Sequence, residues 1–224
     1  MVNSRSQANL RVREYPLEAA LFHSKGYFGL KRFSDIILSL VGLILLLPLF
    51  LVLIILIKVT SPNGPAFFIQ TRVGKGGKEL RMFKFRSMHV DAEKRLAELL
   101  HLNEVEGAMF KLKSDPRVTK IGAFMRKFSI DELPQLINVL KGEMSLIGPR
   151  PPLPRETEMY TEYDKQRLLI TPGCTGLWQV SGRSNLSFNE MVELDLEYIR
   201  NISLKNDIKI FIKTFRVILE GDAC

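Results

Sequence analysis

The run from Ile36 to Ile57, IILSLVGLILLLPLFLVLIILI, carries no charge and constrains this chain more than any other stretch. As a helix it is long enough to cross the hydrocarbon core of a bilayer, which takes about 20 residues. It starts too far from the N-terminus, and is too long, for an ordinary signal peptide. Pro48 stands in its middle, where a proline removes one backbone hydrogen bond and crowds the preceding turn, so the helix is expected to kink there. Lys31 and Arg32 precede the run and Lys58 follows it. With basic residues at both ends, the positive-inside rule selects no orientation. Two topologies fit: a helix that enters, bends and returns to the same face, or a single span with a tolerated proline.

A length of 224 residues holds one domain with appendages. The net charge of +8 points to an anionic partner: nucleic acid, anionic lipid or a phosphorylated substrate. Cys174 and Cys224 are the only cysteines, which excludes a disulfide framework or a cysteine metal cluster and fits a reducing compartment. Residues 1–30 read as an N-terminal arm, 31–58 as the membrane helix and 59–224 as the body that follows it.

Beyond Pro65, two β-prone runs flank a glycine-rich turn at Gly74, Gly76 and Gly77, the pattern of a hairpin. Period two puts Lys84 and Arg86 of its second strand on one side, as a charged edge or as a phosphate-binding strand. Basic residues among aromatics also suit nucleic acid, but no nucleic-acid module signature accompanies them. Asp91 to Leu102 reads as a charged amphipathic helix. His101 has no second His or Cys at a metal spacing.

Arg126 to Pro151, RKFSIDELPQLINVLKGEMSLIGPRP, gathers the chemistry. Leu133, Leu136, Ile137 and Leu140 recur at helical spacing, with Asp131, Gln135 and Asn138 on the opposite stripe. The expectation is one helix carrying the adjacent carboxylates Asp131 and Glu132, packing its apolar face, presenting its polar one, and stopping at Lys141-Gly142. Ser129-x-x-Glu132 also fits a capping box, in which Glu132 only closes the helix start. Prolines 149, 151, 152 and 154 stiffen the backbone around Arg150, whose planar guanidinium suits a phosphate. Tyr160 to Leu169 looks helical. Thr171 to Ser184, TPGCTGLWQVSGRS, is a turn-rich loop with one arginine, of the kind that wraps a nucleotide or merely turns at the surface. Phe188 to Ile199 is a further helix. From Asp207 to Leu219 an apolar face opposes Lys209, Lys213 and Arg216, the pattern of an interfacial or a core helix.

Taken together, four ordered blocks, KRFSDIILSLVGLILLLPLF, FIQTRVGKGGKELRMFKFRSM, FSIDELPQLINVLKGEMSLIGPRP and TPGCTGLWQVSGR, with VELDLEYI beyond them, resemble the monotopic phosphoglycosyl transferases, the bacterial sugar transferases that act on polyprenyl phosphate. The likeness runs from about Lys31 to about Leu219, and the absence of further membrane helices upstream matches the short form. It implies an α+β fold, mainly α: a broken re-entrant membrane helix, a small β-hairpin, and a cytoplasmic domain with interfacial amphipathic helices. Leu47-Pro48 stands where the family breaks its helix, often at Ser-Pro. The likeness makes Asp131 the nucleophile and Glu132 a ligand of Mg2+, with Asp131 beside it. It also places Lys84, Arg86, Arg126, Arg150, Pro151, Thr175, Gln179, Arg183 and Asp195 among the substrate-binding residues.

The partners implied are a nucleoside-diphosphate sugar, in this family a UDP-sugar, a polyprenyl phosphate such as undecaprenyl phosphate, and the bilayer. No nucleic acid is implied, and a homodimer stays open. The setting implied is the cytoplasmic face of the bacterial inner membrane, at the first membrane step of polysaccharide synthesis. Against this stands a non-enzymatic alternative, a membrane-tethered basic domain that binds anionic lipid or nucleic acid. It leaves the carboxylate pair and the rigid arginine turn without a use. A third reading keeps an enzyme but has Asp131 act as a base with both substrates bound together.

Overall fold

The computed structural model describes residues 25–104, 112, 114–183 and 186–220. Residues 1–24 of the expected arm, and Ser184 of the expected loop, lie outside them. Helix α1 runs from Lys25 to Thr60, so residues 25–30, read from the sequence as arm, belong to it. Its helical run also continues through Pro48 without interruption, where the family likeness implies a break. A proline removes one rung of the ladder, and long leucine and isoleucine runs on both sides hold the remainder.

The reason for the early start of α1 is visible in its contacts. Tyr27 Oη and Lys31 Nζ each donate to Asp207 at 2.8 Å. The Arg32 guanidinium caps the carbonyls of Val139 and Leu140. Asp35 accepts from the Leu146 N–H at 3.2 Å. Near the other end, Phe50, Leu53 and Ile57 are buried with Ala66, Phe85 and Met125. Midway, Gly42 lies so close to Leu136 that an added Cβ would stand 3.2 Å from its Cδ1. One side of α1 thus lies on the body along its length. The other side is bare hydrocarbon: Ile44, Leu45 and Ile55 are 63%, 73% and 62% exposed.

The hairpin is as the turn signals predict. Strand β1 (Phe67–Val73) pairs antiparallel with β2 (Glu79–Phe85), Phe68 opposite Lys84 and Arg72 opposite Leu80. The helix expected over 91–102 shrinks to α2 (Leu96–Leu99) and a following 3-10 turn, Leu100–Leu102. Then come α3 (Lys120–Lys127) and α4 (Gln135–Lys141), which ends at Gly142 with φ 82° as its sequence stop predicts. Strand β3 (Ser145–Ile147) lies parallel to β4 (Gly173–Thr175). Between them sit the single-turn helices α5 (Pro154–Thr157) and α6 (Glu162–Lys165), the latter running into a 3-10 turn to Leu169. Helix α7 (Phe188–Arg200) supplies Val192, Leu196, Tyr198 and Ile199 to the main core, with Ile147, Ile170 and Ile210.

The last helix, α8 (Leu204–Glu220), buries Ile210 but leaves Ile208, Ile212, Phe215 and Leu219 largely exposed. Its apolar face is therefore mostly not core.

The polar stripe of α4 corrects a second expectation. Gln135 and Asn138 are buried, not presented. Asn138 accepts from the Phe83 N–H at 3.0 Å and donates to the Arg81 carbonyl and to Glu143, both at 2.7 Å. The stripe holds the hairpin, because a strand edge offers the backbone partners that a buried amide requires. The apolar stripe turns toward α1 instead.

Candidate active site

Asp131 and Glu132 do not sit on α4. They occupy a separate 3-10 turn, Ile130–Glu132, which Pro134 divides from the helix. Ser129 enters this turn in the left-handed region, φ 53°, and its hydroxyl caps nothing. The capping-box reading of Ser129 and Glu132 falls with that. Strain at a non-glycine residue is tolerated where surrounding structure fixes the backbone, often at functional turns. Here it lets two adjacent carboxyls face different surroundings.

Asp131 is buried, 6% exposed. Glu132 lies with a 37% exposed side chain and accepts from Lys84 Nζ at 2.6 Å. Their charges are tuned apart. Burial pushes the Asp131 carboxyl up to about 6; Lys84 opposes this and the neighbouring Glu132 adds to it. Burial also works against the charge on Glu132, but Lys84, Arg150 and Arg72 together hold that carboxyl below the usual range.

Both carboxyls line a cavity of about 1690 Å³, larger than the roughly 300–1,000 Å³ that holds one small ligand. Of the residues expected from the sequence, Lys84, Arg86, Arg126, Arg150, Thr175, Gln179 and Arg183 line the same cavity. Arg126 donates to Ser87 Oγ at 3.1 Å. Arg86 donates to the Pro65 carbonyl and lies over the Phe68 ring. Arg150 Nη1 stands 3.8 Å from Glu156. Thr175 and Thr214 join hydroxyls at 3.0 Å, tying β4 to α8. Arg183 has φ 51° and donates to the Gln179 carbonyl. Pro151 contributes through its backbone, its carbonyl accepting from Arg72 at 3.1 Å.

Asp195 is elsewhere. It is wholly buried and paired with Arg167, at 2.5 Å from Nη2 and 2.8 Å from Nε. The periodicity explains why: Val192, Asp195, Leu196 and Ile199 share the inward stripe of α7. Its place among substrate-binding candidates is therefore corrected to a supporting ion pair.

Arg72 is the cavity residue that reading the sequence passed over. It is 5% exposed and lines the cavity with Phe68 and Gln70. Burial, and then Arg150 beside it, bring its guanidinium down to about 9. The signal for it was present. Lys84 pairs with Phe68, so period two carries the Lys84 face across the hairpin to Gln70 and Arg72.

Apolar residues line the same cavity: Leu38, Val41, Gly42 and Leu46 of α1, and Phe211, Phe215 and Ile218 of α8. One cavity therefore joins a cationic floor bearing two carboxyls to the helix that carries the bare hydrocarbon.

A family model described as bacterial sugar transferase matches residues 26–221, and the chain belongs to that family. Relatives include the galactosyl transferase CpsE of Streptococcus agalactiae, 49% identical over 203 residues, which cover 89% of this chain and 44% of that protein. The undecaprenyl-phosphate galactose phosphotransferase of Salmonella typhimurium is 47% identical over 197 residues, 86% of this chain and 41% of that one. The exopolysaccharide production protein ExoY of Rhizobium meliloti is 42% identical over 188 residues, 82% of this chain and 83% of that one. The chain spans less than half the length of the first two. Membership of a sugar transferase family weighs against the non-enzymatic reading.

Proposed function

We propose that this chain transfers a sugar 1-phosphate from a UDP-sugar to a polyprenyl phosphate, undecaprenyl phosphate, releasing UMP. The observation that carries the proposal is the cavity itself: a buried carboxyl beside a Lys84–Glu132 ion pair, among arginines, with a wall built from an apolar helix. A soluble anionic donor and a lipid acceptor both find matching surroundings there. The names of relatives point the same way, including the UDP-galactose-lipid carrier transferase of Erwinia amylovora, 45% identical over 197 residues.

In the first step an Asp131 carboxylate oxygen attacks the sugar-bearing phosphorus. The bond to the UMP phosphate breaks, and its electron pair leaves with UMP. In the second step an oxygen of the lipid phosphate attacks the same phosphorus and the Asp131 carboxylate departs, leaving a polyprenyl-diphosphate sugar. Lys84, Arg86, Arg126 and Arg150 neutralise the diphosphate, whose charge would otherwise repel the attacking carboxylate.

Mg2+ fits these residues. Among the described residues no cluster of three or more His, Cys, Asp or Glu forms an all-protein cage. Magnesium commonly needs only one or two carboxylates, with phosphate oxygens and water completing its shell. Glu132 and Asp131 would hold it, and when bound it supplies further neutralisation of the phosphates.

The contacts of α1 support a re-entrant placement at the cytoplasmic face of the inner membrane. Tyr27 to Asp35 at one end and Phe50 to Ile57 at the other meet the same body. A perpendicular span would carry one end to the far side of the bilayer, away from that body.

Asp131→Asn tests the assignment. Transfer of sugar phosphate is lost while membrane association is kept; transfer at the normal rate would falsify the nucleophile. The raised Asp131 carboxyl also suits a general base acting with both substrates bound; only the covalent route adds a sugar phosphate to the chain when the donor is present alone.

A further inference from the structure

Arg72 is a buried cation without a carboxylate of its own. No ion pair is formed to it among the described residues, although six others are made elsewhere. Its Nε and Nη2 donate to Gln70 Oε1 at 3.1 and 2.7 Å, and its Nη1 donates to the Pro151 carbonyl at 3.1 Å. Those acceptors are neutral. They fix the plane of the guanidinium, and no carboxylate is in direct contact with it: Glu156 and Glu132 favour its charge only from a distance, and Arg150 opposes it. Three of the five N–H donors of an arginine are used in this way. Two remain, one on each terminal nitrogen, on a residue that lines the cavity beside Glu132 and Arg150.

A buried cation with no carboxylate in contact is costly unless an anion joins it. A second cation beside it raises that cost and raises the affinity for a doubly charged ligand. The planar fork selects phosphate over a point anion.

We propose that Arg72, aimed by Gln70 and Pro151 and acting with Arg150, is a subsite for a phosphate monoester that the nucleotide and the lipid occupy in turn. This rests on the two-step reading given above. In both steps the group opposite Asp131 on the reacting phosphorus is a phosphate monoester: UMP as it leaves, the lipid phosphate as it arrives. In-line displacement puts the two in the same place relative to Asp131. A single cationic subsite then serves both, and the two ligands exclude one another.

The variant Gln70→Glu tests this with a nearly isosteric change, by supplying Arg72 with the carboxylate it lacks. Binding is measured in the Asp131→Asn background, where no transfer intervenes, with UMP and with geranylgeranyl phosphate as probes. Gln70→Glu is expected to raise the melting temperature of the ligand-free protein and to weaken both probes by about tenfold. Arg72→Lys keeps the charge, loses the fork, and weakens both in the same direction. Each probe should displace the other. If Gln70→Glu binds both probes as the parent does, Arg72 is structural and the subsite is wrong. If only one probe weakens, or the two bind together, the sharing is wrong. Failure of the covalent reaction would show instead as a missing adduct on Asp131 in the unmodified enzyme, with probe binding unaffected.

Discussion

Asp131 and Glu132 are neighbours in the chain and are held in opposite electrostatic circumstances. Asp131 is closed off, and its carboxyl rises to about 6; Glu132 reaches Lys84, and its carboxyl falls. Only the ionised form of Asp131 can attack phosphorus. A raised value keeps the proton on to higher pH, so the donor half-reaction should fall off as pH drops through about 6. Lys84 favours both charged forms. Lys84→Met should therefore move that acid limb upward and cost about 10²-fold in kcat/KM for the donor. A pH profile of UMP release reads both, and a limb that stays in place in Lys84→Met contradicts the pairing. At this scale the sequence was half legible. The acidic pair and most arginines could be named from motif and charge. Asp195 escapes a motif reading because its helical stripe, shared with Val192, Leu196 and Ile199, faces inward, and Arg72 escapes it because its face meets that of Lys84 only through the hairpin pairing.

The elements hold the site through backbone partners more than through side-chain pairs. Asn138 on α4 joins two backbone groups of β2 and so sets the hairpin, with Lys84 on it, against the carboxylate turn. Asn138→Ala leaves the Phe83 N–H and the Arg81 carbonyl without that partner and should cost about 3 kcal/mol. In a chain of this size that lowers the melting temperature by about 6–12 °C, measured by thermal unfolding in detergent; an unchanged midpoint would show that the bridge holds nothing. Gly122 explains the seating of α3, since an added Cβ would fall 1.8 Å from the Ser87 carbonyl oxygen. The hairpin, the stop at Gly142, and α7 could be read from turn chemistry and periodicity. The division of the expected acidic helix into a 3-10 turn and α4 could not, because Ser129 adopts a backbone conformation that serine does not advertise. Nor could the direction of the polar stripe, which depends on a strand edge distant in sequence.

For the molecule as a whole, the proposed placement requires both ends of α1 to lie at one face of the membrane. Gly29 and Asn63 flank its apolar part and are exposed. Gly29→Cys and Asn63→Cys, each in a background with Cys174 and Cys224 replaced by serine, should both be shielded from an impermeant maleimide in intact cells. Both should be labelled once the cytoplasmic side is opened. Labelling of one from each side would make α1 a plain span. Sequence alone left these topologies equal; the latches of Tyr27, Lys31, Arg32 and Asp35 onto the body, none of them apparent from hydropathy, are what favour the first. The central claim concerns chemistry at one atom, and its most direct test is denaturing mass spectrometry of the enzyme after exposure to a UDP-sugar and Mg2+ without lipid acceptor. The account predicts a gain equal to one sugar phosphate, mapped to the peptide bearing Asp131 and removed by adding polyprenyl phosphate. A chain that stays unmodified under those conditions, yet transfers sugar phosphate when both substrates are present, would contradict it.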